Sequence, residues 1–324
     1  MFLDIVFLIL GLVLILVGAN ALTDGASALA KRWGMSDLVV GLTIVAFGTS
    51  APELVISVMS AERGNAGIAI GNVVGSNIFN VCAIIGITAL VRPIRIAKGI
   101  MTTDIPLVIL SALVLLVMGN ATLLDGALTN VLTRVDGVIL LLFFMVFMHH
   151  TFASAKKADP SDPAASEGKT RKMMPLWKSS VWVVGGLAAL IYGGDRFVDG
   201  ASGIASAMGV SDAVIGLTIV AAGTSLPELA TSITAALKGR TGIVLGNVIG
   251  SNIFNIFLVL GCSATVRQLP FGTVGNVDLL VLAGGCALFW LFGHLYKVRT
   301  ITRWEGAALL SVYVGYLAWT VAGA

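Results

Sequence analysis

Long apolar runs separated by short polar stretches organise this chain. A helix needs roughly 20 apolar residues to cross a hydrocarbon core of about 30 Å. On that rule the pattern predicts ten spans, at 3–22, 38–61, 67–91, 103–119, 134–152, 179–198, 213–236, 242–266, 277–295 and 304–322. Spans one and six continue into small residues, Gly25–Ala30 and Gly200–Ala207, so both predict longer, tilted helices. Asp125 and Arg134 blur the boundary between residues 123 and 134. The first apolar run follows no basic segment and precedes no small-residue cleavage site, so it reads as a retained span and not a signal peptide. Residues 153–178 break the pattern. They carry six Lys and Arg and the turn cluster DPSDP at 159–163, and read as a flexible polar linker too short to form a regulatory domain. The expected division is a first half over 1–152, a linker over 153–178 and a second half over 179–324.

Composition agrees. Of 324 residues 57% are hydrophobic and only 11% charged, against about 25% charged in soluble domains. The chain is expected to be an all-α polytopic protein whose partner is the lipid bilayer, with no nucleic acid involved. The net charge of +3 adds little, because the charges crowd into short loops. Their placement adds more. Loops after odd-numbered spans hold 16 of the 20 Lys and Arg, and loops after even-numbered spans hold only Arg63, Arg134 and Arg267. The positive-inside rule then puts the linker in the cytoplasm and both termini outside, in a multi-pass protein of the cell membrane.

The polar positions inside the spans repeat. GLTIVAFGTSAPEL at 41–54 returns as GLTIVAAGTSLPEL at 216–229, and GNVVGSNIFN at 71–80 returns as GNVIGSNIFN at 246–255. Both pairs are 175 positions apart, as are Asp24 with Asp199 and Arg92 with Arg267. The chain is a tandem duplication. Five spans per half is an odd number, so the second half enters the membrane from the opposite side. That is an inverted repeat, an architecture of many secondary transporters.

Each copy carries one carboxylate in an otherwise apolar or small run, Glu53 or Glu228. An ionisable residue at membrane depth marks a functional site. Thr49, Ser50 and Glu53 share one helix face, and so do Thr224, Ser225 and Glu228. Pro52 and Pro227 lack the N–H that continues a helix, and Gly48 and Gly223 loosen the same turn. The helix should break there and free carbonyls near Ala46–Thr49 and Ala221–Thr224. Carbonyls, hydroxyls and carboxylates are hard oxygen ligands suited to Ca²⁺, Na⁺ or Mg²⁺ and poorly suited to Zn²⁺ or Cu⁺. Asn72, Ser76 and Asn80 form a polar stripe on span three, and Asn247, Ser251 and Asn255 repeat it on span eight. Gly71, Gly75, Gly246 and Gly250 give small faces for close helix approach. Any one of these features is ordinary packing or interhelical glue; their duplication in register is not. Asp24 and Asp199 fit a boundary role as well as a functional one. His149, His150 and His294 read as interfacial, and Cys82, Cys262 and Cys286 as buried thiols outside any disulfide framework.

GTSAPE with GNVVGSNIFN, and GTSLPE with GNVIGSNIFN, resemble the two alpha repeats of the sodium/calcium exchanger family of cation/Ca²⁺ antiporters. The resemblance covers most of both halves. It implies ten helices in two inverted five-helix repeats, with spans two, three, seven and eight around the ions and spans one and six sliding across that core. It also implies side-chain ligands at Thr49, Ser50, Glu53, Ser76, Asn80, Thr224, Ser225, Glu228, Ser251 and Asn255, with the carbonyls of Ala46 and Ala221. Some members, notably K⁺-dependent exchangers, carry Asp where Asn80 or Asn255 stands, so K⁺ co-transport is not expected.

The expected function is a secondary antiporter that exports Ca²⁺ against Na⁺ influx. Two ionised glutamates balance one Ca²⁺ or two Na⁺, so the ions exclude each other. Ca²⁺ and Na⁺ are cargo, no cofactor is expected, and one chain should suffice. H⁺/Ca²⁺ exchange is the alternative, although proton-coupled relatives tend to carry G-N-x-x-E in place of G-T-S-x-P-E. A cation channel comes behind both, because an inverted duplication with broken helices favours a carrier. An enzyme has little support, since the Ser and Thr lack a neighbouring His or Lys.

Overall fold

A computed structural model describes residues 2–155, 174–208, 221–272, 274–296 and 299–322. Most of the linker and the start of span seven therefore lie outside the described residues. In chain order the helices are α1 (Phe2–Trp33), α2 (Asp37–Thr49), α3 (Ala51–Glu62), α4 (Ala66–Val91), α5 (Ile100–Met118), α6 (Ala121–Leu124), α7 (Arg134–Ala155), α8 (Leu176–Ala207), α9 (Ala221–Gly223), α10 (Leu226–Leu237), α11 (Thr241–Val266), α12 (Asn276–Leu295) and α13 (Arg303–Ala322). Among the described residues eight helices are long and apolar enough to cross a membrane, and α2 with α3 makes a ninth span bent by 46°. The expected ten is compatible with this count, because α9 and α10 are the described remainder of span seven. The chain is a multi-pass membrane protein.

Spans one and six are longer than the hydropathy window set them. At 32 residues each, α1 and α8 would measure about 48 Å at 1.5 Å per residue, which a core of about 30 Å accommodates by tilt. Glycines let the two helices touch. A Cβ on Gly11 would sit 2.4 Å from the Phe197 backbone N, one on Gly18 2.8 Å from the Gly186 carbonyl, and one on Gly25 2.9 Å from the Ser179 carbonyl. These contacts descend along α8 as they climb along α1, so the two run antiparallel. They are repeat equivalents, and their opposed directions are the geometric signature of inversion.

The same two-fold relation recurs in reciprocal contacts. Two-residue strands β1 (Ile94–Arg95) and β4 (Thr300–Ile301) pair antiparallel, and β2 (Val131–Leu132) pairs with β3 (Leu269–Pro270). Each ribbon joins one half to the other. Arg92 donates from Nη1 to the Ala236 carbonyl at 3.3 Å, and its equivalent Arg267 donates to the Glu62 carbonyl at 3.3 Å. The turns they clamp pivot on Gly64 (φ 84°) and Gly239 (φ 74°), where a side chain would be strained. At the far end of α4, Gly86 packs on Gly306 of α13; its counterpart Gly261 packs on Gly137 of α7. The halves are interlocked and share one interior.

Helices α4 and α11 form the centre, 83% and 94% buried over their most apolar windows, whereas α13 is 17% buried. Gly242, Gly246 and Gly250 of α11 bring it against α2: a Cβ on Gly246 would lie 2.6 Å from the Leu38 carbonyl. In α4 the expected close approach is not seen among the described residues. A Cβ on Gly71 would be 3.8 Å from Val274, and one on Gly75 would meet nothing within 4 Å. The element related to α2 by the two-fold, residues 209–220, lies outside the described residues. Large apolar side chains of the long helices, such as Leu142, Met145 and Val184, face outward, as lipid contact requires. Trp33, Trp177 and Trp304 are exposed at helix ends, where interfacial aromatics belong. Cys82 and Cys286 are buried and Cys262 half-buried, all as thiols.

Candidate functional site

The break expected at Pro52 is present. Helix α2 ends at Thr49, Ser50 leaves helical geometry at φ −86°, ψ 5°, and α3 starts anew at Ala51. The second copy does the same at Ser225 (φ −94°, ψ 7°) before α10. Glu53 and Glu228 thus occupy the first turns of α3 and α10, where the positive end of a helix dipole favours an anion.

One expectation needs correcting. The Ala46 carbonyl is not set free by the break: it accepts the Ser50 N–H at 3.0 Å and lies 3.4 Å from the Thr49 hydroxyl. Pro52 removes the donor to the Gly48 carbonyl, two residues later, and the turn closes tightly behind it. In the second half the Ser225 N–H bonds to the Ala222 carbonyl at 3.2 Å and bypasses that of Ala221.

Both carboxylates are 0% exposed. Among the described residues, only Glu228 Oε1 of their four oxygens has a partner, the Ser50 hydroxyl at 3.3 Å. Ser76, Ser225 and Ser251 hydroxyls and both polar atoms of Asn80 are also buried without partners. An unsatisfied buried polar group costs about 1–3 kcal/mol, and more when charged. Carboxylate, hydroxyl and amide oxygens left unsatisfied in one interior are of the kind that suits a hard cation. No cluster of three or more His, Cys, Asp or Glu occurs among the described residues.

The structure sorts the polar stripes. Asn72 donates to the Glu53 carbonyl at 3.5 Å and to the Ser57 hydroxyl at 3.0 Å; Asn247 donates to the Glu228 carbonyl at 3.1 Å and to Ser232 at 3.0 Å. These amides staple α4 to α3 and α11 to α10, holding each glutamate's turn in place. Thr49 contacts the Val45 carbonyl at 3.0 Å and Asn247 Oδ1 at 3.2 Å, linking the halves. Ser57, Ser232, Asn77 and Asn252 escaped the sequence reading. Their signal was available, since all four recur 175 positions apart, but the i, i+4 stripe drew attention to one helix face only. Helices α4 and α11 turn π-helical at Phe79–Ile84 and Phe254–Leu260, beside Asn80 and Asn255, and such bulges frequent functional sites.

A cavity of about 260 Å³ reaches the broken turns. Pro52, Gly223, Thr224 and Pro227 line it, and α8 supplies Asp195 and Asp199. Arg196 pairs with Asp199 at 3.0 Å and stacks over the Phe7 and Tyr192 rings. Asp24, the repeat mate of Asp199, does something else: it pairs with Arg240 at 2.8 Å and Lys238 at 3.0 Å. Ala221 is the first residue of α9.

Comparisons with known proteins bear on this geometry. The profile of the family described as sodium/calcium exchanger protein matches residues 3–153 and 178–322. The chain belongs to the sodium/calcium exchanger family. It is 40% identical to CaxA of Alkalimonas amylolytica, over 96% of each chain. It is 32% identical to the sodium/calcium exchanger MaX1 of Methanosarcina acetivorans, over 97% of each. Among solved structures, the sodium-calcium exchanger NCX_Mj soaked with Na⁺ and Sr²⁺ superposes with a TM-score of 0.82, at 33% identity and 98% coverage of both chains. The family is one of membrane transporters, and the fold shared with NCX_Mj is the one built above from its own contacts.

Proposed function

We propose that this exchanger exports Ca²⁺ in return for Na⁺ influx, by alternating access to one mid-membrane site. The observation that carries the reading is the pair of fully buried glutamates on half-helix N-termini, with three of four carboxylate oxygens unpartnered among the described residues. Two ionised carboxylates neutralise one Ca²⁺ or two Na⁺. Either load is tolerable at low dielectric; both together would leave uncompensated charge. Exclusive occupancy of that kind couples opposite fluxes.

Glu53 and Glu228 supply the charge. Thr49, Ser50, Ser76, Asn80, Thr224, Ser225, Ser251 and Asn255 supply neutral oxygens, joined by the carbonyls of Ala46 and Ala221. Asn80 and Asn255 add no charge, so K⁺ has no counter-charge beside Ca²⁺. Ions reach the site through the cavity beside α8. All these groups come from one chain, so a monomer suffices. Residues 1–152 and 179–324 act as the inverted halves, the linker 153–178 lies in the cytoplasm, and both termini lie outside the cell membrane.

The test is ⁴⁵Ca²⁺ uptake into proteoliposomes under outward Na⁺, H⁺ or K⁺ gradients at clamped voltage. Uptake should follow the Na⁺ gradient and keep its rate when choline replaces K⁺ on both sides. Uptake driven by H⁺ without Na⁺, and abolished by a protonophore, would replace this reading with proton coupling.

A further inference from the structure

We propose that Asn77 is a positioning residue which fixes the Asn255 amide with its oxygen toward the ion site. The inference rests on the reading of Asn255 as an ion ligand. An asparagine is a cation ligand through Oδ1 only; turned over, it presents an N–H₂ group that repels the ion. The amide's shape does not decide between the two. Its neighbours must.

Here a chain of donors decides. The Asn252 backbone carbonyl can only accept, and Asn77 Nδ2 donates to it at 3.1 Å. That fixes Asn77 with Oδ1 turned away, and Asn255 Nδ2 donates to this oxygen at 3.0 Å. Asn255 Oδ1 is then left buried and without a partner. Both side chains are 0% exposed, so water cannot substitute for either link. The polarity of the relay is anchored by a group that cannot flip.

The repeat mates make the point by contrast. Asn252 and Asn80 stand where Asn77 and Asn255 stand in the other half, yet among the described residues all four of their polar side-chain atoms lack partners. The relay exists on one side only. Asn255 is a preset oxygen donor, whereas the Asn80 amide is free to present either face. Preorganising a ligand lowers the cost of binding, so the two halves contribute unequally to an otherwise two-fold site.

The experiment titrates purified full-length protein in detergent with Ca²⁺ alone by calorimetry. Asn77→Ala, with Asn77→Ser as a smaller change should the alanine protein not fold, is measured in the native background and with Asn255→Asp. In the native background Ca²⁺ affinity should fall about tenfold, the worth of one hydrogen bond. With Asn255→Asp the loss should shrink to about twofold or less, because a carboxylate offers oxygen in either orientation. An equal loss in both backgrounds, or none in the native one, overturns the proposal. Asn255→Leu separates the two readings. Unchanged affinity there removes Asn255 as a ligand; weakened affinity there, with unaffected Asn77 variants, removes the positioning role alone.

Discussion

Glu53 and Glu228 are the residues on which the account turns. Each sits at 0% exposure in the first turn of a half-helix, and among the described residues three of their four carboxylate oxygens have no hydrogen-bond partner. Glutamine keeps the shape and removes the charge. Unit charges 4 Å apart exchange roughly 4 kcal/mol at an effective dielectric near 20, about a thousandfold in affinity. Glu53→Gln and Glu228→Gln proteins should therefore fold, elute as the native protein does and lose Ca²⁺-coupled flux to below a hundredth of the native rate. Near-native flux from either, in a well-folded protein, would dismiss the carboxylates. The sequence revealed these residues because a carboxylate, a proline and a hydroxyl pair were duplicated in register. It did not reveal Asn77, whose partners Asn252 and Asn255 lie 175 and 178 positions away. Periodicity reports which face of a helix a residue occupies, never which distant group it meets.

At the scale of elements, repeat mates have diverged. Asp24 of α1 holds Arg240 and Lys238 at the turn between α10 and α11, with its side chain 23% exposed. Asp199 of α8 is 51% exposed, pairs within its own helix and lines the cavity. Breaking the partly buried pair that Asp24 makes with Arg240 should cost roughly 2–3 kcal/mol, while an exposed i,i+3 pair is worth under about 1 kcal/mol. Asp24→Asn should thus lower the unfolding temperature clearly in detergent, and Asp199→Asn should leave it nearly unchanged. Equal shifts would mean that the two aspartates share one structural role. The positions of the helices were legible as apolar runs of the right length. The π-helical turns were not, because one inserted residue leaves hydropathy unchanged. Nor were the strand pairs, since two residues are too few to alternate.

For the whole molecule, duplication and inversion were both readable: the first from the constant offset, the second from an odd span count and the basic loops. The packing of α7 on α11 and α13 on α4 was not, because cross-packing between halves leaves no local trace. The orientation is open to direct test. Cysteines placed at Ser161 and near Ala324 should react differently with an impermeant thiol reagent on intact cells. Labelling is expected near Ala324 and not at Ser161; the opposite pattern would turn the topology over.

The central claim is that Ca²⁺ and Na⁺ compete for one pair of carboxylates. Equilibrium ⁴⁵Ca²⁺ binding to the purified protein, measured against increasing Na⁺ with choline holding ionic strength constant, tests it most directly. The account predicts that Na⁺ weakens Ca²⁺ binding with a dependence steeper than first order, while the number of Ca²⁺ sites at saturation stays the same. Ca²⁺ binding that is indifferent to Na⁺ would contradict it.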